Sequence, residues 1–260
     1  MRLHSTRPGS LNWLLLPGGP GIGSESLIEL ADALHVPGSI WLIDLPGDGS
    51  NTTQQRDPYA QWPQVLVEAA QAVPHAVYVG HSTGGMYLLS TPALGDLVQG
   101  IALLDTAPDS SWHPEYIAMT QADPLPAFEH ALIQYTQHPS IDNLTTLAVT
   151  SAEWNFTPAA LEAGRALLAR MPYNADAVAW SDAHFDHVYK ATWWPTHVPV
   201  LRLYGTCDRI VSQRAWSAAE FNTPNVLVRA IADAGHFPWI DNPADVSAAF
   251  AAFAGKLIAG

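Results

Sequence analysis

Residues 77–85 read Val-Tyr-Val-Gly-His-Ser-Thr-Gly-Gly, an apolar strand that runs directly into a Gly-x-Ser-x-Gly pattern and then into a helix-compatible segment. A serine on a tight strand-to-helix turn has a strained backbone, and its neighbours two positions away are crowded. Gly80 and Gly84 lack the side chains that would collide there. The spacing predicts that Ser82 projects from the carboxyl edge of a sheet, above a helix N-terminus that favours developing negative charge.

Around this segment the chain alternates between short apolar runs and helix-like stretches. The runs are almost continuously apolar, which is typical of parallel strands covered on both faces. This order predicts an α/β fold with a doubly wound, mostly parallel sheet. The predicted strands are 11–16, 40–43, 76–79, 101–104, 200–204 and 226–231, and the predicted helices are 24–34, 59–73, 83–89, 213–221 and 243–257.

One connection is far longer than a crossover between parallel strands requires. Residues 107–197, about 90 in number where 10–20 suffice, contain no convincing strand. They hold five of the ten tryptophans and helical patterns at 126–137 and 158–171, so a disordered loop is disfavoured. We therefore predict that residues 1–106 and 198–260 form the core domain and that residues 107–197 form a helical cap.

Composition excludes several classes of partner. The 260 residues carry 11 Lys+Arg against 24 Asp+Glu, a net charge of −13, whereas nucleic-acid binding needs clustered basic side chains. The two lysines, Lys190 and Lys256, cannot form a polybasic membrane patch, and no apolar run approaches the ~18 residues of a membrane helix. Cys207 is the sole cysteine, which rules out an internal disulfide. The sequence predicts a soluble, cytoplasmic protein that acts on a small molecule.

Two other strand ends carry the residues that a serine nucleophile requires. A serine hydroxyl is a weak nucleophile until a base removes its proton, and an acid must orient that base. Asp208 follows the predicted strand at 200–204, and His236 follows the one at 226–231. Because the carboxyl ends of parallel strands lie at one edge of a sheet, we expect Ser82, Asp208 and His236 to converge there.

A glycine-rich loop after the first predicted strand supplies oxyanion donors. Residues 17–21 read Pro-Gly-Gly-Pro-Gly, and bare glycines let backbone N–H groups approach a reacting oxygen. We assign the donors to the backbone N–H groups of Gly19 and Thr83. The loop matches neither Gly-x-x-x-x-Gly-Lys nor Gly-x-Gly-x-x-Gly, so a nucleotide-binding role is disfavoured.

Together these motifs resemble the α/β-hydrolase superfamily over nearly the whole chain, in particular its single-domain members with a helical cap. Residues 80–85 match the nucleophile elbow of that family, Asp208 its usual acid position, and residues 235–238 its catalytic-histidine segment. Residues 17–21 resemble the His-Gly-Gly-Pro-Gly loop of the proline iminopeptidase branch, with Pro17 in place of the histidine. The resemblance implies a cap after the sixth family strand, a sheet of six or seven strands, and no metal or organic cofactor.

Other residues admit competing interpretations. Asp105 ends the predicted strand at 101–104, where some α/β-hydrolases carry their acid, but Asp208 matches the commoner placement. His184 and His187 stand three apart beside two aspartates, which approximates metal-ligand spacing, although a cap surface or a substrate-pocket wall explains them equally well. We predict no metal site. His81, adjacent to Ser82, is predicted to be a packed histidine.

The cap residues include candidates for a substrate pocket. Aromatic walls favour apolar or moderately sized substrates, but they also serve as ordinary core. Acidic cap residues could bind the free amino group of a substrate, or they could form a solvent-exposed face of the cap. The sequence does not separate these roles. The aromatic candidates are Trp112, Tyr116, Trp154, Phe185 and Trp194, and the acidic ones are Glu115, Glu129, Glu153 and Asp182.

The predicted function is hydrolysis of a small, mainly apolar ester or amide through an acyl-enzyme on Ser82, with His236 as base and Asp208 as orienting acid. A proline iminopeptidase-like aminopeptidase or a thioesterase remains open. So do a non-hydrolytic use of the same residues, as in a cofactor-free oxygenase or a lyase, and a ligand-binding receptor.

Overall fold

The architecture comes from a computed structural model that describes residues 1–49, 51 and 58–259. Its centre is a seven-stranded sheet with the strand order β1-β3-β2-β4-β5-β6-β7. Only β1 runs antiparallel to its neighbour, so the prediction of a mostly parallel sheet is confirmed. The strands are β1 Arg2–Arg7, β2 Asn12–Leu16, β3 Gly38–Leu42, β4 Ala76–His81, β5 Val98–Leu104, β6 Val200–Gly205 and β7 Val226–Ile231.

Helices cover both faces of this sheet. The α-helices are α1 Ile28–Ala33, α2 Trp62–Gln71, α3 Thr83–Leu89, α4 Trp112–Ala122, α5 Pro126–Gln137, α6 Ile141–Thr150, α7 Ala152–Asn155, α8 Leu161–Ala169, α9 Ala175–His184, α10 Pro238–Asp241 and α11 Pro243–Ala259. Short 3₁₀ turns occupy Ser24–Leu27, Pro58–Gln61, Pro92–Leu94, Arg214–Ser217 and Ala219–Phe221. In the described residues no helix combines the length and the apolar character needed to cross a membrane.

The two faces of the sheet form separate hydrophobic cores because side chains alternate along each strand. In β2, Trp13 packs against Phe250 and Phe253 of α11, with ring centroids 6.0 and 6.1 Å apart. Leu14 and Leu16 point the other way, into the core that α2 and α3 cover. The continuous apolar runs therefore reflect burial on both faces.

Two sequence-based expectations fail, each at the margin of the sheet. The apolar run at 226–231 predicts a strand covered on both faces, but β7 is an edge strand and Val228 is 37% exposed. The stretch 213–221 forms two 3₁₀ turns separated by Ala218, whose backbone is extended (φ −60°, ψ 139°). The buried Trp216 indole N–H donates to Thr106 O at 2.7 Å, and such a tertiary contact overrides local helix propensity.

The long connection between β5 and β6 contains six helices, α4 to α9. Its only strand-like pairing is an isolated bridge between Asp109 and Lys190, at the two ends of the segment, all of whose residues the structure describes. Helix α5 packs on α6, and α6 packs on α8. The segment is thus helical, and its treatment as a cap domain of residues 107–197 stays a prediction.

Candidate active site

Ser82 occupies the turn between β4 and α3. Its backbone has φ 51° and ψ −124°, a conformation that non-glycine residues rarely adopt. A Cβ on Gly80 would lie 2.7 Å from the Gly85 Cα, and one on Gly84 would lie 2.4 Å from Pro17 O. Glycines are therefore required at both positions. The two glycines do not crowd each other: Gly80 lies against Gly85 of the same turn, and Gly84 lies against the backbone of Pro17.

The side chains of His236 and Asp208 meet at the same edge of the sheet. The imidazole Nδ1 lies 3.1 Å from Asp208 Oδ2 and 3.2 Å from Oδ1, and both side chains are almost completely buried. Asp208 Oδ1 also accepts hydrogen bonds from the backbone N–H groups of Ile210 at 2.8 Å and Val211 at 3.2 Å. These donors fix the carboxylate, which in turn fixes the imidazole.

His81 links the segment of Ser82 to the segment of His236. Its Nε2 lies 2.9 Å from the carbonyl oxygen of His236, an acceptor only, so Nε2 carries the proton and donates it. The two imidazole rings lie 4.8 Å apart between centroids. Complete burial, and then the proximity of His236, lower the pKa of His81 well below its ordinary value. His81 is thus a neutral, packed side chain that holds the backbone of His236.

The glycine-rich loop packs directly onto Ser82. A Cβ added to Gly18 would lie 2.7 Å from the Ser82 Cβ, so only glycine permits this approach. The Thr83 hydroxyl donates to Gly19 O at 3.3 Å, which ties the loop to the start of α3. Thr83 is the first residue of α3, and the first N–H groups of a helix have no intrahelical acceptor. The backbone of Gly18 therefore borders the Ser82 side chain, and Gly19 is held by the residue that follows Ser82.

Asp105, the rival candidate for the acid, lies beside Asp208. One ligand-type atom from each of Asp105, Asp208 and His236 lies within 4.8 Å of the others. Among the described residues, this is the one place where three His, Cys, Asp or Glu side chains lie so close together. The group does not include His184 or His187. His184 Nδ1 contacts Trp180 O at 2.9 Å, and His187 Nε2 contacts Asp182 Oδ1 at 3.1 Å.

The predicted pocket residues occupy different surroundings. A cavity of about 430 Å³ lies between α4 and the loop after β6, and both Asp208 and Tyr116 line it. Trp154 packs against Phe128 and Tyr116, at 4.7 and 6.2 Å between centroids. Trp112 packs edge-on against His113 and at a tilt against Tyr116. Phe185 packs on Trp62 and Tyr87, and Trp194 packs on Trp216 and Phe221. Of the five aromatic candidates, only Tyr116 borders this cavity.

The acidic cap candidates are likewise dispersed. Glu115 borders the cavity, 3.9 Å from the guanidinium of Arg214. Glu153 pairs with Arg165 at 2.9 Å on the surface. Asp182 is paired with His187, and Glu129 lies in the first turn of α5. Glu115 alone among them is placed near Asp208.

Sequence reasoning missed two groups that hold the histidine loop. Asn155 O, at the end of α7, accepts the backbone N–H of His236 at 2.8 Å. Asp241 Oδ2 accepts the backbone N–H of Gly235 at 2.9 Å, and Asp241 Oδ1 accepts from the Thr157 hydroxyl at 2.7 Å. The Asn155 contact is made by a backbone carbonyl, which any residue type supplies, so the sequence does not indicate it. Asp241 lies only five residues after His236, and its position in that segment could have suggested that it holds the histidine loop.

Asp48 lies behind the glycine-rich loop and yields a stability prediction. Burial, reinforced by the charge of Asp44, raises the pKa of Asp48 to about 7, although backbone N–H groups of Gly49, Gly21 and Gly23 oppose the shift. The folded state therefore binds this proton more tightly than the unfolded state, whose pKa is near 3.8. The resulting stabilisation is complete below pH ~3.8 and is lost as the pH rises through about 7.

We expect Asp48→Asn to be more stable than the wild type at pH 8, with a smaller or reversed difference at pH 4. The upper limit of this change is about 4 kcal/mol, since one pKa unit corresponds to about 1.36 kcal/mol. Urea unfolding at both pH values measures it, with the surface variant Asp96→Asn as control. A stability difference that does not vary with pH would contradict the raised pKa.

Comparison with known proteins identifies the family. Residues 13–249 match the α/β-hydrolase family. The chain belongs to the α/β-hydrolase family. Among curated relatives, the pimeloyl-[acyl-carrier protein] methyl ester esterase of Xylella fastidiosa (strain M23) is 27% identical over 263 residues, covering 94% of this chain and 95% of the relative. The protein of the same name from Xanthomonas axonopodis pv. citri (strain 306) is 25% identical over 255 residues, covering 92% and 94%.

Solved structures share the fold of this α/β hydrolase. The esterase RhEst1 from Rhodococcus sp. ECU1013 has a TM-score of 0.69 at 19% identity, covering 96% of this chain and 93% of that chain. A proline iminopeptidase-related protein from Thermus thermophilus has a TM-score of 0.72 at 21% identity, covering 98% and 92%. The expected resemblance to the superfamily is therefore confirmed, and at these identities the structures support the fold alone.

Proposed function

We propose that the protein is a serine esterase in which Ser82 is the nucleophile, His236 the base and Asp208 the acid that orients it. The observation that carries the proposal is the buried contact between His236 Nδ1 and the Asp208 carboxyl at 3.1 Å, at the sheet edge where Ser82 leaves β4. His81, which precedes Ser82 and bonds the backbone of His236, further supports the convergence.

The proposed reaction follows from the hydrogen-bond directions at His236. Nδ1–H donates to Asp208, so Nε2 has the free lone pair that accepts the Ser82 proton. The Ser82 oxygen then attacks the ester carbonyl, and the carbonyl oxygen becomes an oxyanion bound by the N–H groups of Gly19 and Thr83. Collapse expels the alcohol, which takes the proton from His236. Water, deprotonated by His236, then attacks the acyl carbon, and the bond to Ser82 breaks as the serine oxygen takes the proton back from His236, which releases the acid.

The proposed substrates are methyl and other small alkyl esters of an apolar acyl chain. The curated relatives described above, which align with more than nine-tenths of this chain, are named for a methyl ester. The helical segment is proposed as the cap over this site, because Asn155 O binds the His236 N–H and the Asn174 N–H donates to Gly21 O at 2.8 Å. Both loops that flank Ser82 are thus held by residues of 107–197.

A second candidate is an aminopeptidase similar to proline iminopeptidases. Two observations favour it: the sequence of residues 17–21 and the position of Glu115 on the cavity that Asp208 also lines. A carboxylate there would suit a substrate with a free amino group. The partial pairing of Glu115 with Arg214 weighs against this role, so the esterase is preferred.

A substrate panel separates these functions. It contains methyl and p-nitrophenyl esters of acyl chains of increasing length, the matching acyl thioesters, and prolyl arylamides, each assayed with the wild type. The esterase proposal predicts that kcat/KM for the esters exceeds that for the prolyl arylamides by at least about tenfold. A preference for the arylamides would establish the aminopeptidase, and a preference for thioesters a thioesterase. Binding without turnover across the panel would contradict hydrolysis altogether.

A further inference from the structure

Two carboxyl groups occupy the space behind His236, where one carboxylate is sufficient to orient an imidazole. Asp105 and Asp208 leave the carboxyl ends of the neighbouring strands β5 and β6. Asp105 is completely buried, and its backbone φ of 44° turns the residue out of the strand. One oxygen of the Asp105 carboxyl and one oxygen of the Asp208 carboxyl lie within 4.8 Å of each other. Two negative charges at this separation repel strongly in a buried site.

Asp208 accepts more hydrogen bonds than Asp105 does. Asp208 receives hydrogen bonds from the N–H groups of Ile210 and Val211 and from His236 Nδ1. Asp105 receives one, from the Gly205 N–H to Oδ1 at 2.8 Å. Its Oδ2 is buried, and no donor of the described residues is hydrogen-bonded to it. Hydrogen bonds to a carboxylate favour its charged form, so the negative charge belongs on Asp208 and a shared proton belongs on Asp105.

We propose that Asp105 is a protonated positioning residue that donates its carboxyl proton to Asp208 and thereby leaves a single negative charge behind His236. The proposal rests on the proposed function of Ser82, Asp208 and His236. It assigns Asp105 a role different from that of an alternative acid: Asp105 does not contact the imidazole but fixes the carboxylate that does.

The other charges that face Asp105 act in the same direction. Burial raises the pKa of Asp105 well above its ordinary value, and the charges of Asp208 and Asp241 raise it further, against the Gly205 N–H. Asp241 itself accepts hydrogen bonds from Thr157 and Gly235. The surroundings of Asp105 therefore disfavour a negative charge on its carboxyl.

Two substitutions separate a neutral Asp105 from a charged one. In Asp105→Asn, the amide nitrogen donates to Asp208 and the amide oxygen accepts from Gly205, so the hydrogen bonds and the charge of the neutral acid are both reproduced. Asp105→Leu removes the donor. We expect the leucine variant to lose about 10–100-fold in kcat with little change in KM, and the asparagine variant to recover most of this loss.

The decisive readout is the acid limb of the pH dependence of kcat/KM, which reports the titration of His236. If Asp105 is neutral, the limb in Asp105→Asn stays where it is in the wild type. If Asp105 is charged, the Asp105→Asn substitution removes a negative charge within 4.8 Å of the imidazole. The acid limb of kcat/KM then shifts to lower pH by about one to two units. Such a shift would overturn the proposal.

Infrared difference spectroscopy tests Asp105 independently of any activity. The wild-type minus Asp105→Asn spectrum at pH 7 is expected to contain the C=O stretch of a protonated carboxylic acid, and the same band should appear in a Ser82→Ala background. Asp48, whose pKa is raised to about 7, contributes to both proteins and cancels. Absence of the band would refute a protonated Asp105. The band together with a wild-type protein that hydrolyses none of the esters would refute the proposed function and leave the carboxyl pair intact.

Discussion

Ser82→Ala is expected to lower kcat for a methyl or p-nitrophenyl ester by about 10⁵–10⁶-fold, because the variant retains the proposed oxyanion donors and base but lacks the proposed nucleophile. The loss should appear in kcat and not in KM, since the hydroxyl contributes little to ground-state binding. The substitution removes one oxygen from a side chain that is 9% exposed, so folding should be unaffected.

The matched control for this variant is Ser90→Ala at the opposite end of α3. The Ser90 hydroxyl donates to Met86 O at 2.9 Å and has no role in the proposed reaction. Thermal unfolding of both variants shows whether each is folded, and steady-state kinetics measures activity. Ester turnover by Ser82→Ala within tenfold of the wild type would eliminate Ser82 as the nucleophile.

Asp208→Asn is expected to reduce kcat by about 10⁴-fold. The amide oxygen preserves the hydrogen bonds from Ile210 and Val211, but the amide group cannot both keep these and accept the His236 Nδ1–H as a carboxylate does. The imidazole then loses its orientation and its preferred tautomer, and its charged form is no longer stabilised.

The exposed variant Asp96→Asn is the control for a change of one surface charge. The kcat values of the two variants should differ by the full factor of about 10⁴, and circular dichroism should show that both are folded. A loss of less than about tenfold in Asp208→Asn, together with a loss near 10⁴ in Asp105→Asn, would transfer the orienting role to Asp105 and contradict the proposed arrangement.

The sequence predicted the elements that depend on local patterns. The apolar runs located six of the seven strands, and the helix at 83–89 agrees residue for residue with α3. The strand Arg2–Arg7 escaped prediction because it lies at the sheet edge, where none of its six residues is buried, so it has no apolar run. The helix predicted over 213–221 does not form because the Trp216 indole binds Thr106 O. A local pattern cannot reveal this contact, since the two residues lie far apart in sequence.

The strand ends located the candidate site residues, but the sequence did not reveal which side chains would pair. The positions of Ser82, Asp208 and His236 follow from strand ends at one edge of the sheet. That Asp105 would lie against Asp208 depends on the adjacency of β5 and β6 and on a positive φ, which residue types alone do not reveal. The pocket walls depend on how α4 to α9 pack, and residue type alone does not show whether a cap aromatic lies in the core or lines a pocket.

Covalent labelling with a fluorophosphonate, followed by peptide mass spectrometry, is the most direct test of the convergence of Ser82 with His236 and Asp208. One adduct is expected, on Ser82, which forms rapidly in the wild type and is absent in Ser82→Ala. His236→Ala is expected to slow labelling by at least about 10³-fold, because the serine has lost its base. Labelling at another serine, or labelling of Ser82 at an unchanged rate in His236→Ala, would contradict the proposed convergence of these residues.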